Sequence, residues 1–399
     1  MDRAKKVLLT NGEAKSTLAA VRSLSARGIE VHVAAASRIA IASWSRFSTC
    51  SHILPQSQKD PQEFVLALAR LHETWGFDVV IPVADADIEA LLTCCTEKTA
   101  HIKMALPSYA AFRQARDKSL TMKAAIRAGV PIPETYFPED EPIEKIRDRA
   151  KYPLLIKPNI SAGARGITMV PDRDMLCEKY YDVIKKWGPS HVQELIPDSA
   201  DGGQFKSDIV IGARGELLAL FVCKKLRFFP VEGGSSTLIV GKHHAQIERD
   251  VEKLTRSLEW YGFADYDFIV DPRDGVAKLM ECNPRFPESL ICNVFSGVDF
   301  PWLMFQLALG EKVDAQLYYR DGRYTRFLVG DIMWFIHSKD RWKANPSFFK
   351  FFGKDLKYYV EQFSDPGPTF CYLIESLRTL CSAKQLAYRF DRGFQRKAK

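Results

Sequence analysis

The sequence predicts a chain of mixed architecture, an α/β half followed by an α+β half, with a basic and aromatic extension at its end. Three observations carry this expectation. Over residues 5–83, apolar strand-like runs alternate with runs of helical periodicity, the pattern of an open parallel sheet. From residue 205 on, strand-like runs come in pairs joined by tight turns, which marks an antiparallel arrangement. Positive charge is concentrated late: residues 339–399 hold 13 Lys and Arg against 6 Asp and Glu, which matches the whole net charge of +7.

The elements follow in order. Residues 5–11 read as a buried strand that turns at Gly12. A helix follows with Leu18, Val21 and Leu24 at helical spacing and Gly28 as its stop. Val31–Ala35 is the next strand. Asp60-Pro61 opens a second helix, Asp as cap and Pro at the first helical position, with Phe64, Leu68 and Leu71 on one face. Val79–Val83 closes the β-α-β-α-β series. The first turn, Thr10-Asn11-Gly12-Glu13, lacks the GxGxxG spacing, so nicotinamide or flavin binding is not expected there. Residues 117–129 form a helix that ends in Gly-Val-Pro-Ile-Pro, where two prolines impose an extended connector. Strand 154–158, helix 174–187 and strand 191–196 come next. Residues 205–212 and 216–223 pair around Ala213-Arg214-Gly215. Helix 248–261 buries Val251, Leu254, Leu258 and Tyr261. Strands 266–271 and 276–282 flank the hairpin Asp271-Pro272-Arg273-Asp274-Gly275.

With 399 residues, two or three domains are expected, and 46% apolar with 26% charged residues excludes whole-chain disorder. No signal peptide and no run of about 18 apolar residues is evident. Nine cysteines lie without a CxxC pair, and Cys94 and Cys95 are adjacent, which fits reduced thiols in a cytoplasmic protein better than disulfides or a zinc site. A neutral body with a basic end does not read as a nucleic-acid-binding domain.

Two segments carry the chemistry. Leu154-Leu155-Ile156-Lys157-Pro158 delivers a lysine at a strand end. The loop Ser161-Ala162-Gly163-Ala164-Arg165-Gly166 follows, small enough for backbone N–H groups to approach an anion. Farther on, Asp267 and Glu281 interrupt apolar strands. Buried carboxylates need a cation or hydrogen bonds to stay charged. Lying 14 residues apart across a hairpin, they are expected on adjacent strands facing one site. With Asn283 they form a candidate magnesium site of hard oxygen ligands. Arg285 is suited to a phosphoryl group or carboxylate through paired N–H bonds. Cys282 should face the core. His243 and His244, adjacent in a strand, point oppositely and cannot share an ion.

In this order, the Lys-Pro strand end with its small-residue loop and Glu281-Cys282-Asn283-Pro284-Arg285 resemble the ATP-grasp superfamily over residues 1–320. Carbamoyl-phosphate-synthase-like carboxylate–amine ligases are the nearest pattern. The resemblance implies an ATP-grasp fold with an N-terminal open parallel α/β (pre-ATP-grasp) domain over 1–115. The ATP-grasp domain would span 116–325, with a small ATP-covering subdomain at about 130–195, and the C-terminal extension 326–399. It implies that Lys118, 39 residues before Lys157, reaches the nucleotide phosphates with Lys157, Ser161, Gly163 and Gly166. Gln193, Glu194 and Ile196 match the adenine-binding hinge, and Asp201 a ribose contact. Arg165 stands where the pattern has a small residue. Among Lys224, Lys225 and Arg227, expected just after a strand, Arg227 is the expected phosphate contact, beside Arg285 and Asn283 as catalytic groups.

The implied cofactors are ATP and Mg2+, with Mn2+ as a substitute. The implied reaction is ADP-forming joining of a small-molecule carboxylate to an amine through an acyl-phosphate. A carboxylate–thiol ligase, a hydroxyl kinase and a non-catalytic nucleotide-binding regulator are the alternatives. Biotin carboxylation is disfavoured by the lack of a biotin-carrier segment, and carbamoyl-phosphate synthesis by the lack of tandem halves. A homo-oligomer is expected. The aromatic, basic extension reads either as a helical cap on the body or as a peripheral attachment to an anionic membrane or acidic partner.

Overall fold

A computed structural model of the chain describes residues 3–161, 163–197, 203–231 and 233–380. Strands β1 (Lys6–Leu9), β2 (Glu30–Ala35), β3 (Cys50–Ile53) and β4 (Val79–Ile81) form a parallel sheet in the order β3-β2-β1-β4. Both faces of its central strands are covered, so Val7, Leu8 and Leu9 are all buried and the strand reads as a continuous apolar run. Helix Lys15–Ser25 packs Leu18, Val21 and Leu24 on one face. Helix Pro61–Trp75 covers the other and begins as the sequence predicts: the Asp60 carboxylate accepts from Glu63 N at 2.9 Å, and Pro61 holds the first helical position.

A small antiparallel sheet follows. Strands β5 (Thr135–Tyr136), β6 (Leu154–Pro158), β7 (Thr168–Val170) and β8 (Ser190–Glu194) lie in the order β5-β8-β6-β7. Helices Ile143–Arg149 and Leu176–Trp187 close its own core of Tyr136, Ile146, Leu154, Ile156, Leu176 and Val192.

The largest element is a seven-stranded sheet built from β9 (Gln204–Ile211), β10 (Leu217–Phe229), β11 (Ser235–Gly241), β12 (Gly262–Val270), β13 (Ala277–Asn283), β14 (Tyr324–Arg326) and β15 (Leu356–Tyr358). Its order is β13-β12-β9-β10-β11-β14-β15. One apolar core runs from this sheet into the N-terminal layer, joining Phe221, Tyr266 and Phe305 to Leu18 and Val79.

Among the departures from the sequence expectation, three bear on the site and the domain boundary. The helix expected at 248–261 is Ala245–Ser257, because the His244 side chain caps it by accepting from Ile247 N at 3.4 Å. Tyr261 then falls outside the helix, at the entry to β12. Strand β10 runs on to Phe229, so Lys224, Lys225 and Arg227 lie within a strand and not after one. The large sheet also runs across residues 325 and 326, since β14 pairs with β11 and β15 pairs with β14.

The Ser364–Pro368 segment that interrupts the extension ties it to the N-terminal layer. Asp365, fully buried, accepts from Arg22 Nε at 2.9 Å, Ser45 Oγ at 2.8 Å and Arg46 N at 2.9 Å. Tyr359, Val360 and Cys371 are buried beside it, whereas Trp342, Phe352 and Phe363 are exposed. Helix Gly367–Leu380 follows, and Tyr388, Phe390 and Phe394 lie outside the described residues. Among the described residues, no single helix is long and apolar enough to cross a membrane.

Candidate active site

The site grows from the register of three neighbouring strands. On β12, Asp267 stands opposite Glu281 of β13 and Lys206 of β9, and Asp265 stands opposite Asn283 and Asp208. Side chains alternate along a strand, so these six groups share one face of the sheet as two adjacent rows. The polar atoms interlock. Lys206 Nζ lies 2.7 Å from Asp265 Oδ2 and 3.7 Å from Asp267 Oδ1, and Asn283 Nδ2 donates to Asp265 Oδ2 at 3.0 Å. Lys225 forms an ion pair with Asp267 from the far side. Asn293, on helix Leu290–Ser296, donates to Asp208 Oδ2 at 2.5 Å.

The electrostatics divide the acids. Burial disfavours the charged Asp267, but Lys206 and Lys225 outweigh it and hold this carboxyl well below the usual carboxylate range. Asp208 goes the other way: burial and the neighbouring Asp265 push it well above its ordinary value. Lys206 is penalised by burial yet raised overall by Asp265, Asp267 and Asp208.

Two more lysines approach Glu281, Lys118 from a helix and Lys157 from the small sheet. Lys118 opens helix Lys118–Arg127, whose N-terminus is capped by the Asp117 carboxylate through Leu120 N at 3.1 Å. Its Nζ donates to Ser161 O at 2.8 Å and lies 3.5 Å from Glu281 Oε2, so the phosphate-loop expectation and the metal expectation meet at one ammonium. Lys157, on β6, is buried and donates to Gln193 Oε1 at 2.5 Å. Burial pushes its ammonium down to about 8, Lys118 adds to the shift, and Glu281 opposes it. The loop after it turns through left-handed backbone at Gly163, Ala164 and Gly166. Gly166 is required there: a Cβ would lie 2.7 Å from Pro158 Cγ and 2.8 Å from Trp187 Cδ2.

Arg285 lies between the acid rows and the N-terminal layer, close enough to Asp265 for the two charges to act on each other. Its Nε donates to Asp85 Oδ2 at 2.9 Å, at the start of helix Asp85–Thr93 in the N-terminal layer. Burial alone would lower its pKa, but Asp85 and Asp265 together raise it. Cys282 is buried, as alternation predicts for the residue between Glu281 and Asn283.

The side chains of the hinge residues Glu194 and Gln193 are both engaged within the protein. Glu194 sits in an ion cluster, accepting from Glu134 N at 2.9 Å and pairing with Arg273 at 2.8 Å and Lys278 at 3.4 Å. It thereby couples the hinge to the β12–β13 hairpin, where Asp271 shares both cations. The Gln193 side chain is fully buried between Lys157 and Thr135 Oγ1, the latter at 2.9 Å. Ile196 is buried just beyond β8, and Asp201 lies outside the described residues.

Arg227 is the clear correction. A bulge in β10 sets Lys225 opposite Ile239 but Arg227 opposite Leu238. Successive residues of β11 point to opposite faces, so the extra residue turns Arg227 away from the acid rows. Its guanidinium pairs with the buried Asp331 at 2.8 Å, bonds Pro346 O and lies over Trp334 at 4.5 Å. Lys225, passed over in its favour, holds the position at the acids. Lys206, Asp208 and Asp265 were also missed, although they interrupt apolar strands just as Asp267 and Glu281 do.

The rows suit a magnesium–nucleotide pair. Asp265 Oδ1 and Asp208 Oδ1 are buried and accept from no N–H or hydroxyl donor among the described residues, so a proton shared between the two carboxyls or a bound cation must satisfy them. The available donors are carboxylate and amide oxygens, the hard set magnesium takes, with Lys118, Lys157, Lys206 and Lys225 around them for phosphate charge.

Residues 115–289 match the ATP-grasp domain family model. The chain carries an ATP-grasp domain. Among curated proteins, the methylcrotonoyl-CoA carboxylase subunit alpha of Glycine max is 26% identical over 218 residues, 52% of this chain and 30% of the relative. The carbamoyl phosphate synthase large chain, C-terminal section, of Methanopyrus kandleri is 25% identical over 177 residues, 42% of this chain and 32% of the relative. The chain thus spans about a third of the length of these relatives. Biotin carboxylase from Campylobacter jejuni superposes with a TM-score of 0.66 at 16% identity, covering 81% of this chain and 74% of that one. The L-amino acid ligase of Bacillus licheniformis does so with 0.59 at 17%, covering 81% and 79%. Within the matched residues, Glu194 of β8 ties the small sheet to the β12–β13 hairpin, and Lys118 links the 161–166 loop to Glu281.

Proposed function

We propose that this ATP-grasp protein is an ADP-forming ligase that activates a carboxylate with Mg-ATP and passes the acyl group to an amine. The observation that carries this reading is the convergence of Lys118 on both Glu281 and the loop at Ser161, directly beside the Asp267–Glu281 pair. Lys118, Lys157 and the 161–166 loop would hold the phosphates, and Asp267, Glu281 and Asn283 the metal. Magnesium, when bound with the nucleotide, supplies neutralisation of charge on the phosphoryl group in transit. A carboxylate oxygen of the substrate attacks the γ-phosphorus, the bond to ADP breaks, and an acyl-phosphate forms. The amine then attacks the acyl carbon, phosphate leaves, and the amine loses a proton. Arg285, anchored on Asp85, would orient the carboxylate by paired N–H bonds.

An amine fits better than a thiol because the neighbouring cavity is acidic. A cavity of about 250 Å³ at the C-terminal ends of β1 and β2 is lined by Thr10, Glu13 and Asp87, the last two residues along its helix from Asp85. Ligands of open parallel sheets bind at this edge. The test is ADP release over mixtures of carboxylates and amines, repeated with hydroxylamine. A hydroxamate supports acyl-phosphate formation; ADP release that yields only a phosphorylated alcohol overturns it.

A further inference from the structure

The parallel sheet carries a second group of donors that the proposed reaction does not use. On β2 and β3, His32 stands directly opposite Cys50, and His52, two residues along, shares the Cys50 face. One donor atom from each of His32, Cys50 and His52 lies within 4.8 Å of the other two. His32 Nδ1 and His52 Nε2 face each other at 2.8 Å, and the two rings are nearly parallel, 6° apart. His32 Nε2 lies 2.9 Å from Glu30 Oε1. The rings of Trp75 and Phe77 meet His32 edge-on at 4.9 and 5.1 Å and close the inner side. β3 is the edge strand of its sheet, so Cys50 remains partly accessible.

The proton count explains why these groups form a site and not only a packed pair. The Glu30 carboxylate fixes the His32 proton on Nε2 and leaves a lone pair on Nδ1. A carboxylate behind a histidine in this way orients and strengthens it as a metal ligand. The lone pairs of His32 Nδ1 and His52 Nε2 thus point into one gap that holds a single proton, and Cys50 borders the same gap. We infer that His32, Cys50 and His52 bind a divalent transition-metal ion of the zinc class, at a site separate from the ATP-grasp acids. Two imidazoles and a thiolate are a borderline-to-soft set, which favours zinc or cobalt and disfavours magnesium. With metal–nitrogen bonds of about 2.0–2.1 Å and a metal–sulfur bond of about 2.3 Å, tetrahedral donors sit roughly 3.3–3.6 Å apart. The ring centroids lie 5.1 Å apart, so the two imidazoles meet head-on across one N–H···N hydrogen bond. To hold a tetrahedral ion each ring must tilt by about 35° as the nitrogens part by about half an ångström, and the half-buried Cys50 rotates inward. The fourth position is left to water. On binding, the Cys50 thiol releases its proton to solvent, and His52 shifts its proton from Nε2 to Nδ1, so one proton leaves per ion. The ion would clamp the edge strand β3 to β2.

The test uses full-length protein stripped with a chelator and titrated with Co2+. The expected result is one equivalent per chain, with a thiolate-to-cobalt charge-transfer band that zinc abolishes and excess Mg-ATP leaves intact. Cys50→Ser should remove the band, and His52→Ala should weaken cobalt binding at least tenfold. Cys95→Ser and Asp267→Asn should change neither. Zinc should raise the melting temperature of the wild type and not that of Cys50→Ser, which checks the site even if His52→Ala fails to fold. A band that survives Cys50→Ser, cobalt bound without a band, or a band lost in Asp267→Asn would each overturn the inference.

Discussion

Asp267 and Glu281 are direct cross-strand partners on β12 and β13, and Lys118 Nζ stands 3.5 Å from Glu281 while Lys225 pairs with Asp267. Glu281 therefore meets a lysine from the helix Lys118–Arg127, and Asp267 meets two from the sheet, Lys206 and Lys225. Asp267 and Glu281 are the residues that would hold magnesium, and Lys118 and Lys225 would supply positive charge for phosphate oxygens.

Removing either acid should therefore damage turnover far more than folding. Asp267→Asn and Glu281→Gln are each expected to lower turnover by on the order of a hundredfold or more through lost metal placement. Steady-state ADP release, measured beside circular dichroism of the same samples, checks this. Near-normal turnover in the folded double variant would misplace the site.

Lys157 predicts a pH dependence with a definite sign. Its ammonium is pushed down from 10.5 to about 8 by burial, so between these values the unfolded chain binds a proton that the folded chain has lost. Its contribution to stability thus rises with pH across that window, and at neutral pH the buried charge costs on the order of 3 kcal/mol. The difference in melting temperature between Lys157→Met and wild type should shift in favour of the wild type from pH 8 to pH 10. Nucleotide affinity of the wild type should fall as pH rises through about 8.

Lys225 and Arg227, two residues apart, should separate cleanly. Lys225→Met is expected to reduce turnover at least tenfold, since its partner is Asp267. Arg227→Met removes one of the two cations of the buried Asp331, which keeps Arg326 at 2.6 Å, and should cost about 1.5–3 kcal/mol of stability, with turnover per folded molecule retained. Urea melts and turnover corrected for folded fraction distinguish the two, and the opposite pattern would restore Arg227 to the site.

The extension makes a prediction in two parts. Asp365, held by Arg22, Ser45 and Arg46, pins residues 359–371 to the body, so truncation after 338 should give an aggregating protein. Residues 381–399 hold six Lys and Arg against one Asp. If this segment serves attachment to anionic lipid, each basic residue contributes about 1 kcal/mol near the surface. Deleting only 381–399 should then abolish salt-sensitive sedimentation with anionic vesicles and leave the melt unchanged. An intact protein that ignores vesicles would refute the attachment.

Much of this architecture was legible because the signals were local. Asp60-Pro61 caps its helix through its own side chain, and the Asp271–Gly275 hairpin sets Asp267 opposite Glu281. The 39-residue step from Lys118 to Lys157 resembled a known pattern. What stayed hidden depended on partners distant in sequence. The bulge that reverses Arg227 exists only in the pairing of β10 with β11. Lys206, Asp208 and Asp265 gain meaning only when three strands are laid side by side. The last strands, β14 and β15, are three residues each and too short to show periodicity. His32 and Cys50 are 18 residues apart in the chain and meet only because β2 and β3 run parallel in that register.

Thermal melting with nucleotide tests the central claim most directly, because it needs no knowledge of the substrate. A ligand that binds only the folded state stabilises it by RT ln(1 + [L]/Kd), about 2.7 kcal/mol at a hundredfold excess over Kd. The wild type with millimolar ATP and magnesium together should melt well above the protein with either alone, and Asp267→Asn/Glu281→Gln should lose that synergy. A wild-type melting temperature unchanged by Mg-ATP, or a shift of equal size in the double variant, would contradict a magnesium–nucleotide site at Asp267 and Glu281.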